Sequence, residues 1–87
     1  MSTDEAIAAT VKQFILDEFL PGEDPSELTA DTPLITSAVL DSVGTLKLVA
    51  FLEERFNIGL AAHEADVEYL NTIADIVKLV ESKQHAR

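Results

Sequence analysis

Apolar residues recur with a helical period in three separate stretches of the chain. Ile7, Val11, Phe14, Ile15 and Phe19 follow one another at spacings of four, three, one and four, which places them on one helical face. Asp4 and Glu5 stand in the first turn of this stretch, where negative charge suits the helix dipole, and Pro21-Gly22 ends it. A first helix is therefore predicted over about 4–20. Leu48, Val49, Leu52 and Phe56 follow the i, i+1, i+4, i+8 pattern, preceded by Asp41-Ser42 as a capping pair. A second helix is predicted over about 42–56 with this face inward, broken by Asn57 and Gly59. Ala65 to Tyr69 reads as a short turn of helix. Thr72 can then cap a last helix carrying Ile73, Ile76, Val77 and Val80. No segment shows the two-residue alternation of a half-buried strand. The predicted fold is all-α: three main helices, one short one, and a long loop between helices one and two.

That loop, residues 20–41, is longer than most connections in compact domains. Pro21, Gly22, Pro25 and Pro33 make it irregular, yet it also carries Leu28, Leu34, Ile35, Val39 and Leu40. These are too many apolar residues for a solvated linker. Leu28 and Leu34 are expected to plug the gap between helix ends, and a loop packed down in this way can place a particular residue at the start of the next helix.

Composition narrows the functions available. Eighty-seven residues make one small domain. The chain has no cysteine, so neither a disulfide nor a thiolate metal site can staple it, and two histidines make a nitrogen-rich metal site improbable. An unstapled core of this size supplies roughly 3–5 kcal/mol, so its apolar residues must be used well. Sixteen acids against six bases give a formal charge of −10, which disfavours nucleic acid and anionic lipid surfaces as partners. No apolar run approaches membrane-spanning length, and Met1-Ser2-Thr3-Asp4-Glu5 lacks the basic start of a secretory signal. A cytoplasmic location, a monomer and no membrane insertion are expected.

Catalysis is hard to build from these residues. His63, beside Glu64, and His85, in the expected tail, read as solvated histidines far from any nucleophile. Asp17-Glu18 and Glu53-Glu54 are adjacent pairs that splay around a helix axis rather than close on one substrate. Glycine-rich phosphate loops are absent. The expectation is a protein that is not an enzyme and holds no metal. Asp41-Ser42 stands apart. As a cap it is ordinary, but a serine hydroxyl beside the unpaired N–H groups at the positive end of a helix is also well placed to carry a phosphodiester.

The string Leu40-Asp41-Ser42-Val43-Gly44-Thr45-Leu46-Lys47-Leu48-Val49-Ala50-Phe51-Leu52-Glu53-Glu54-Arg55-Phe56 resembles the modification motif and second helix of acyl carrier proteins. Asp31-Thr32-Pro33-Leu34 is similar to that family's loop ahead of the serine. Asn57-Ile58-Gly59-Leu60 resembles its exit from helix two, and Tyr69-Leu70-Asn71-Thr72-Ile73 the approach to its last helix. The resemblance implies one four-helix carrier domain over 1–87, with about 83–87 as a frayed tail. It implies 4'-phosphopantetheine attached to Ser42 by a phosphopantetheinyl transferase with coenzyme A as donor, and Asp41 as the adjacent motif residue that helps seat the transferase. The arm's thiol then supplies the reactive sulfur that a cysteine-free chain lacks. The chain becomes a shuttle for acyl or aminoacyl thioesters, and its partners are acyl or aminoacyl ligases and acyltransferase or synthase enzymes.

Departures from the general fatty-acid carriers suggest a specialised member. Those usually read Gly-Ala-Asp-Ser-Leu-Asp, with further acids along helix two. Here Val39-Leu40 precede Asp41, and Gly44 and Lys47 stand at typically acidic positions. Over 42–56, Lys47 and Arg55 cancel Glu53 and Glu54, so helix two is neutral. Acidity is concentrated between Lys12 and Lys47, in Asp17, Glu18, Glu23, Asp24, Glu27, Asp31 and Asp41, with no base among them. Val43, Leu46 and Ala50, with Lys47 beside them, are expected to form a partly exposed partner-binding strip leading from Ser42. A free-standing carrier of a specialised pathway is the preferred reading. The alternatives are the general carrier of fatty-acid synthesis and an unmodified helical interaction domain.

Overall fold

The computed structural model describes residues 3–22 and 24–85. Met1, Ser2, Glu23, Ala86 and Arg87 lie outside the described residues, and with them one acid of the loop and the end of the expected tail. Four α-helices follow in chain order: α1 (Thr3–Phe19), α2 (Ser42–Phe56), α3 (Val67–Leu70) and α4 (Ile73–His85). Short 3-10 turns stand at Pro25–Glu27 and Ala62–Glu64. No strand occurs among the described residues, and the architecture is the all-α bundle expected from the periodicities.

Burial explains which helix plays which part. Ile7, Val11, Ile15 and Leu16 of α1 face Ile73, Ile76, Val77, Leu79 and Val80 of α4, and these two helices form the most extensive pairing in the molecule. Leu48 and Leu52 of α2 are completely buried against them. Val49 and Phe56, expected on the same inner face, are half-buried at its margins. Phe14 and Phe19 are likewise only partly covered. Their rings meet edge to face at 5.9 Å, and Phe14 stacks on Phe51 of α2 at 4.0 Å.

The long loop is a structural element in its own right. Leu28, Leu34 and Leu40 are buried in the common core, as the sequence predicts for the first two. Hydrogen bonds then tie the loop to the α3–α4 junction. Asn71 accepts from the Leu34 N–H through its backbone carbonyl at 2.6 Å, and its side-chain oxygen accepts from the N–H groups of Ile35 and Thr36 at 3.0 and 3.1 Å. The Ala74 N–H donates to the Ala30 carbonyl at 3.1 Å. Leu40 N–H closes back on the Leu34 carbonyl at 2.9 Å, with Ala38 at φ 66° in between. Residue 41 is thereby delivered to one fixed place.

Several boundaries differ from the sequence reading. Asn57, at φ 55°, makes the left-handed turn that ends α2, and Ile58 N–H returns to the Glu53 carbonyl, so Gly59 is not needed as a breaker. The short helix begins at Val67 rather than Ala65, because the Asp66 carboxylate caps it by accepting from Val67 N–H at 2.7 Å. Helix α4 runs through Lys83 to His85, into the segment expected to be the tail. Thr72 caps that helix as predicted, its hydroxyl accepting from Asp75 N–H at 3.1 Å.

Lys83 explains the extension. Its ammonium lies 2.7 Å from Glu64, a residue whose sequence neighbours predict a polar loop. Glu64 is in fact buried, and also accepts from Ala61 N–H at 2.8 Å. The Lys83 contact first, then the Ala61 N–H, hold its carboxyl below the usual glutamate range. One ion pair thus joins the turn before α3 to the last turns of α4. His63 stays exposed, edge-on to Tyr69 at 6.3 Å.

Candidate attachment site

Asp41 and Ser42 do not share the capping role. Asp41 alone is the N-cap of α2: its carboxylate accepts from Gly44 N–H at 2.6 Å, and its backbone carbonyl accepts from Thr45 N–H at 2.8 Å and Thr45 Oγ1 at 2.9 Å. Ser42 is the first residue of the helix. Its hydroxyl is exposed and, among the described residues, makes no hydrogen bond. Ser37, five residues earlier, offers a contrast, because its hydroxyl is already committed to the Pro33 carbonyl at 2.5 Å. With Gly44 and Thr45 supplied by Asp41, the N–H groups of Ser42 and Val43 remain open at the positive end of the helix. A hydroxyl beside two unpaired N–H groups suits a phosphodiester.

The residues of the expected strip are exposed. Val43 and Leu46 are 61% and 65% exposed, and Lys47 and Ala50 are also exposed on α2. Val67 of α3, which the sequence reading did not include, adds a further exposed apolar side chain at 39%. Beside Ser42 runs an open groove of about 530 Å³ between the loop, α2 and α3. Ile35, Leu40, Leu46, Ala65 and Val67 form its apolar walls, and the carboxylates of Asp41 and Asp66 stand on it. No cationic side chain lines it. Asp66 and Val67 escaped notice in the sequence because their place beside Ser42 depends on the loop lying between α2 and α3.

Gly44 is the one departure whose meaning changes. In the sequence it is a missing acid, but in the fold it is buried beneath Phe19. A Cβ there would stand 3.0 Å from Phe19 Cε1 and 3.1 Å from Asp41 Oδ1, so an aspartate could not be placed there as a simple surface charge. Lys47, by contrast, is exposed on α2.

The other candidate groups stay apart. Glu53 spends its carboxylate on Leu60 N–H at 3.0 Å, and Asp17 accepts from Gln13 Nε2 at 2.8 Å. No cluster of three His, Cys, Asp or Glu residues that could hold a metal occurs among the described residues. None of the described helices is long and apolar enough to cross a membrane.

The family model described as the phosphopantetheine attachment site matches residues 18–80. The D-alanyl carrier proteins of Streptococcus pyogenes serotype M5 (strain Manfredo) and serotype M49 (strain NZ131) are each 44% identical over 64 residues, covering 74% of this chain and 80% of theirs. The solved structure of KstB-PCP in its apo form superposes with a TM-score of 0.71 at 29% identity, covering 94% of this chain and 90% of that one.

Proposed function

The chain belongs to the phosphopantetheine-attachment family of carrier proteins, and from that premise we propose that Ser42 is its attachment point and that it carries an aminoacyl group for a specialised pathway. The observation that carries the first part is the division of labour at the start of α2. Asp41 does the capping, which leaves the Ser42 hydroxyl exposed and unengaged beside open N–H groups. The phosphopantetheine arm, once attached, supplies the thiol on which cargo is held as a thioester.

Attachment uses the serine as nucleophile. Ser42 Oγ attacks the pantetheine-bearing phosphorus of coenzyme A. A new P–O bond to Ser42 forms, the pyrophosphate P–O bond breaks, 3',5'-ADP leaves, and the hydroxyl proton passes to a base of the transferase. The N–H groups of Ser42 and Val43 then face the resulting phosphodiester. Asp41, adjacent to Ser42 in the chain and with its carboxylate held on the Gly44 N–H, helps seat the transferase and the metal ion that the transferase brings.

Two features support an aminoacyl cargo. The relatives in Streptococcus pyogenes are D-alanyl carriers, and the groove beside Ser42 is rimmed by Asp41 and Asp66 with no cation on its walls, a setting that favours an ammonium group. The neutral charge of α2 and the exposed Lys47 also separate this chain from carriers that present an acidic helix. The partners are then a phosphopantetheinyl transferase, an adenylating ligase that loads the thiol, and a transferase or synthase that unloads it. They meet the Val43–Leu46–Ala50 strip, and the chain performs no catalysis of its own. It works in the cytoplasm as a monomer.

The test is direct. Apo-protein incubated with coenzyme A and a broad-specificity transferase should gain the mass of one phosphopantetheinyl group. Ser42→Ala should abolish the gain. Because Ser42 is not the cap, this change should leave stability within about 0.5 kcal/mol of wild type. Modification at Ser37, or none anywhere, overturns the assignment. Mass spectrometry of protein recovered from its own cells identifies the cargo, and a fatty-acyl load in place of an aminoacyl one would refute that part.

A further inference from the structure

A glycine inside the first turn of a helix is less favourable than alanine unless something requires it. Gly44 is such a residue, and conformation is not the requirement, because Gly22 is the glycine with positive φ and Gly44 is helical. Space is the requirement. A methyl group at position 44 would meet Phe19 Cε1 at 3.0 Å, Asp41 Oδ1 at 3.1 Å and Phe19 Cζ at 3.5 Å.

We propose that Gly44, with the Phe19 ring behind it, sets the position of the Asp41 carboxylate beside Ser42 and is therefore a positioning residue for phosphopantetheinyl transfer. The inference rests on the reading of Ser42 as the attachment point. It follows from asking which neighbour gives way when the space is filled. Phe19 is braced from behind: its ring stands edge-on to Phe14 at 5.9 Å, and Phe14 lies flat on Phe51 at 4.0 Å. Asp41 is exposed, and the Gly44 N–H bond at 2.6 Å holds the same oxygen that the methyl would crowd. The carboxylate is the free end, so it moves and the aromatic stack stays.

The displacement stops there. The Asp41 backbone carbonyl remains bonded to Thr45 N–H and Thr45 Oγ1, so the helix start and the Ser42 backbone keep their places. The consequence is an intact helix whose Asp41 carboxylate has lost its place on the Gly44 N–H. Reaction geometry tolerates little of this, because a displacement of about 1 Å can cost roughly a hundredfold in rate. A shift of a few tenths of an ångström should cost about tenfold by the same relation.

The experiment measures transfer from coenzyme A to full-length apo-protein, with the transferase that modifies wild type. Wild type is compared with Gly44→Ala, Phe19→Leu, the double change, Asp41→Asn and Ser42→Ala. Gly44→Ala should lower kcat about tenfold with KM within about twofold, and its amide proton at position 44 should move upfield as the short hydrogen bond lengthens. Leucine lacks the Cε1 and Cζ atoms that crowd the site, so adding Phe19→Leu should return kcat to within about threefold of Phe19→Leu alone, and the amide shift with it. Asp41→Asn keeps the cap and removes the charge, and should lower kcat at least as much as Gly44→Ala. Wild-type kinetics in Gly44→Ala overturn the inference and leave the attachment reading intact. So does a loss that Phe19→Leu fails to relieve. If Gly44→Ala does not fold, wild-type kcat in Asp41→Asn overturns the inference and a lowered kcat supports it. Transfer that persists in Ser42→Ala refutes the attachment reading, and the inference with it.

Discussion

Helices α2 and α4 use their apolar residues in opposite ways. In α4, Ile73, Ile76, Val77, Leu79 and Val80 are all buried, while Lys78 and Ser82 are exposed. In α2 only Gly44, Leu48 and Leu52 are buried, while Val43 and Leu46 stand more than half exposed. Yet α2 is at least as apolar in composition as α4. The difference lies in how much of each face the core covers. Helix α4 is the spine that α1 and the loop are built against, whereas α2 is anchored by Leu48 and Leu52, with Val49, Phe51 and Phe56 packed at the margins, and leaves Val43 and Leu46 exposed. A carrier must be held by one enzyme and released to the next, so a small exposed apolar patch with little charge suits it better than a large sticky one.

The largest effect that tests this contrast is the loss of an anchor. Leu52→Ala and Ile76→Ala remove fully buried side chains from the two helices, and each should cost roughly 2–5 kcal/mol, comparable with the whole stability of so small a domain. Both should be largely unfolded or molten at room temperature by circular dichroism and denaturant titration. A cooperative melt of Leu52→Ala within a few degrees of wild type would mean that α2 is not anchored through that side chain.

A smaller effect should come from the exposed side of the same helix. Val43→Ser with Leu46→Ser should leave stability within about 1 kcal/mol of wild type, because neither side chain is packed. It should nevertheless lower kcat/KM for loading by the host's own ligase about tenfold, which is about 1.4 kcal/mol of lost contact. Unchanged loading would show that the strip is not where that ligase binds.

The smallest effect concerns charge. Lys47→Glu alone should change stability by a few tenths of a kcal/mol at most, since the side chain is exposed. It should raise malonyl transfer to the holo-protein by the general fatty-acid enzymes by a factor between about 1.4 and 5, the worth of one rim ion pair at about 0.2–1 kcal/mol. The change is best made without Gly44→Asp, which would disturb the cap as well as add a charge. Wild-type protein that already matches the host's general carrier would remove the case for a specialised helix two.

Much of this was legible in the residues. The spacing of Ile7, Val11 and Ile15, and of Ile73, Ile76 and Val80, marked the two faces that meet, and Asp41-Ser42 marked where α2 starts. Leu28 and Leu34 announced a packed loop simply by being apolar in a proline-rich stretch. Other features were not legible. Glu64 looked like a solvated neighbour of His63, because its partners, Lys83 and the Ala61 N–H, converge on it only when α4 runs back along the preceding turn. Asn71 stands in the sequence only as part of the approach to the last helix, although it holds three backbone N–H groups of a segment more than thirty positions away.

The sequence by itself determined the helical class, the two principal seams and the serine to watch, because a 3.6-residue period and a capping residue act within a few positions along the chain. Tertiary structure alone decided that Asp66 and Val67 share a groove with Ser42. It also decided that Gly44 is a matter of space rather than of charge, since Phe19 reaches it from another helix. Such contacts join residues that are distant in sequence, and close packing settles which side chain has room and which does not.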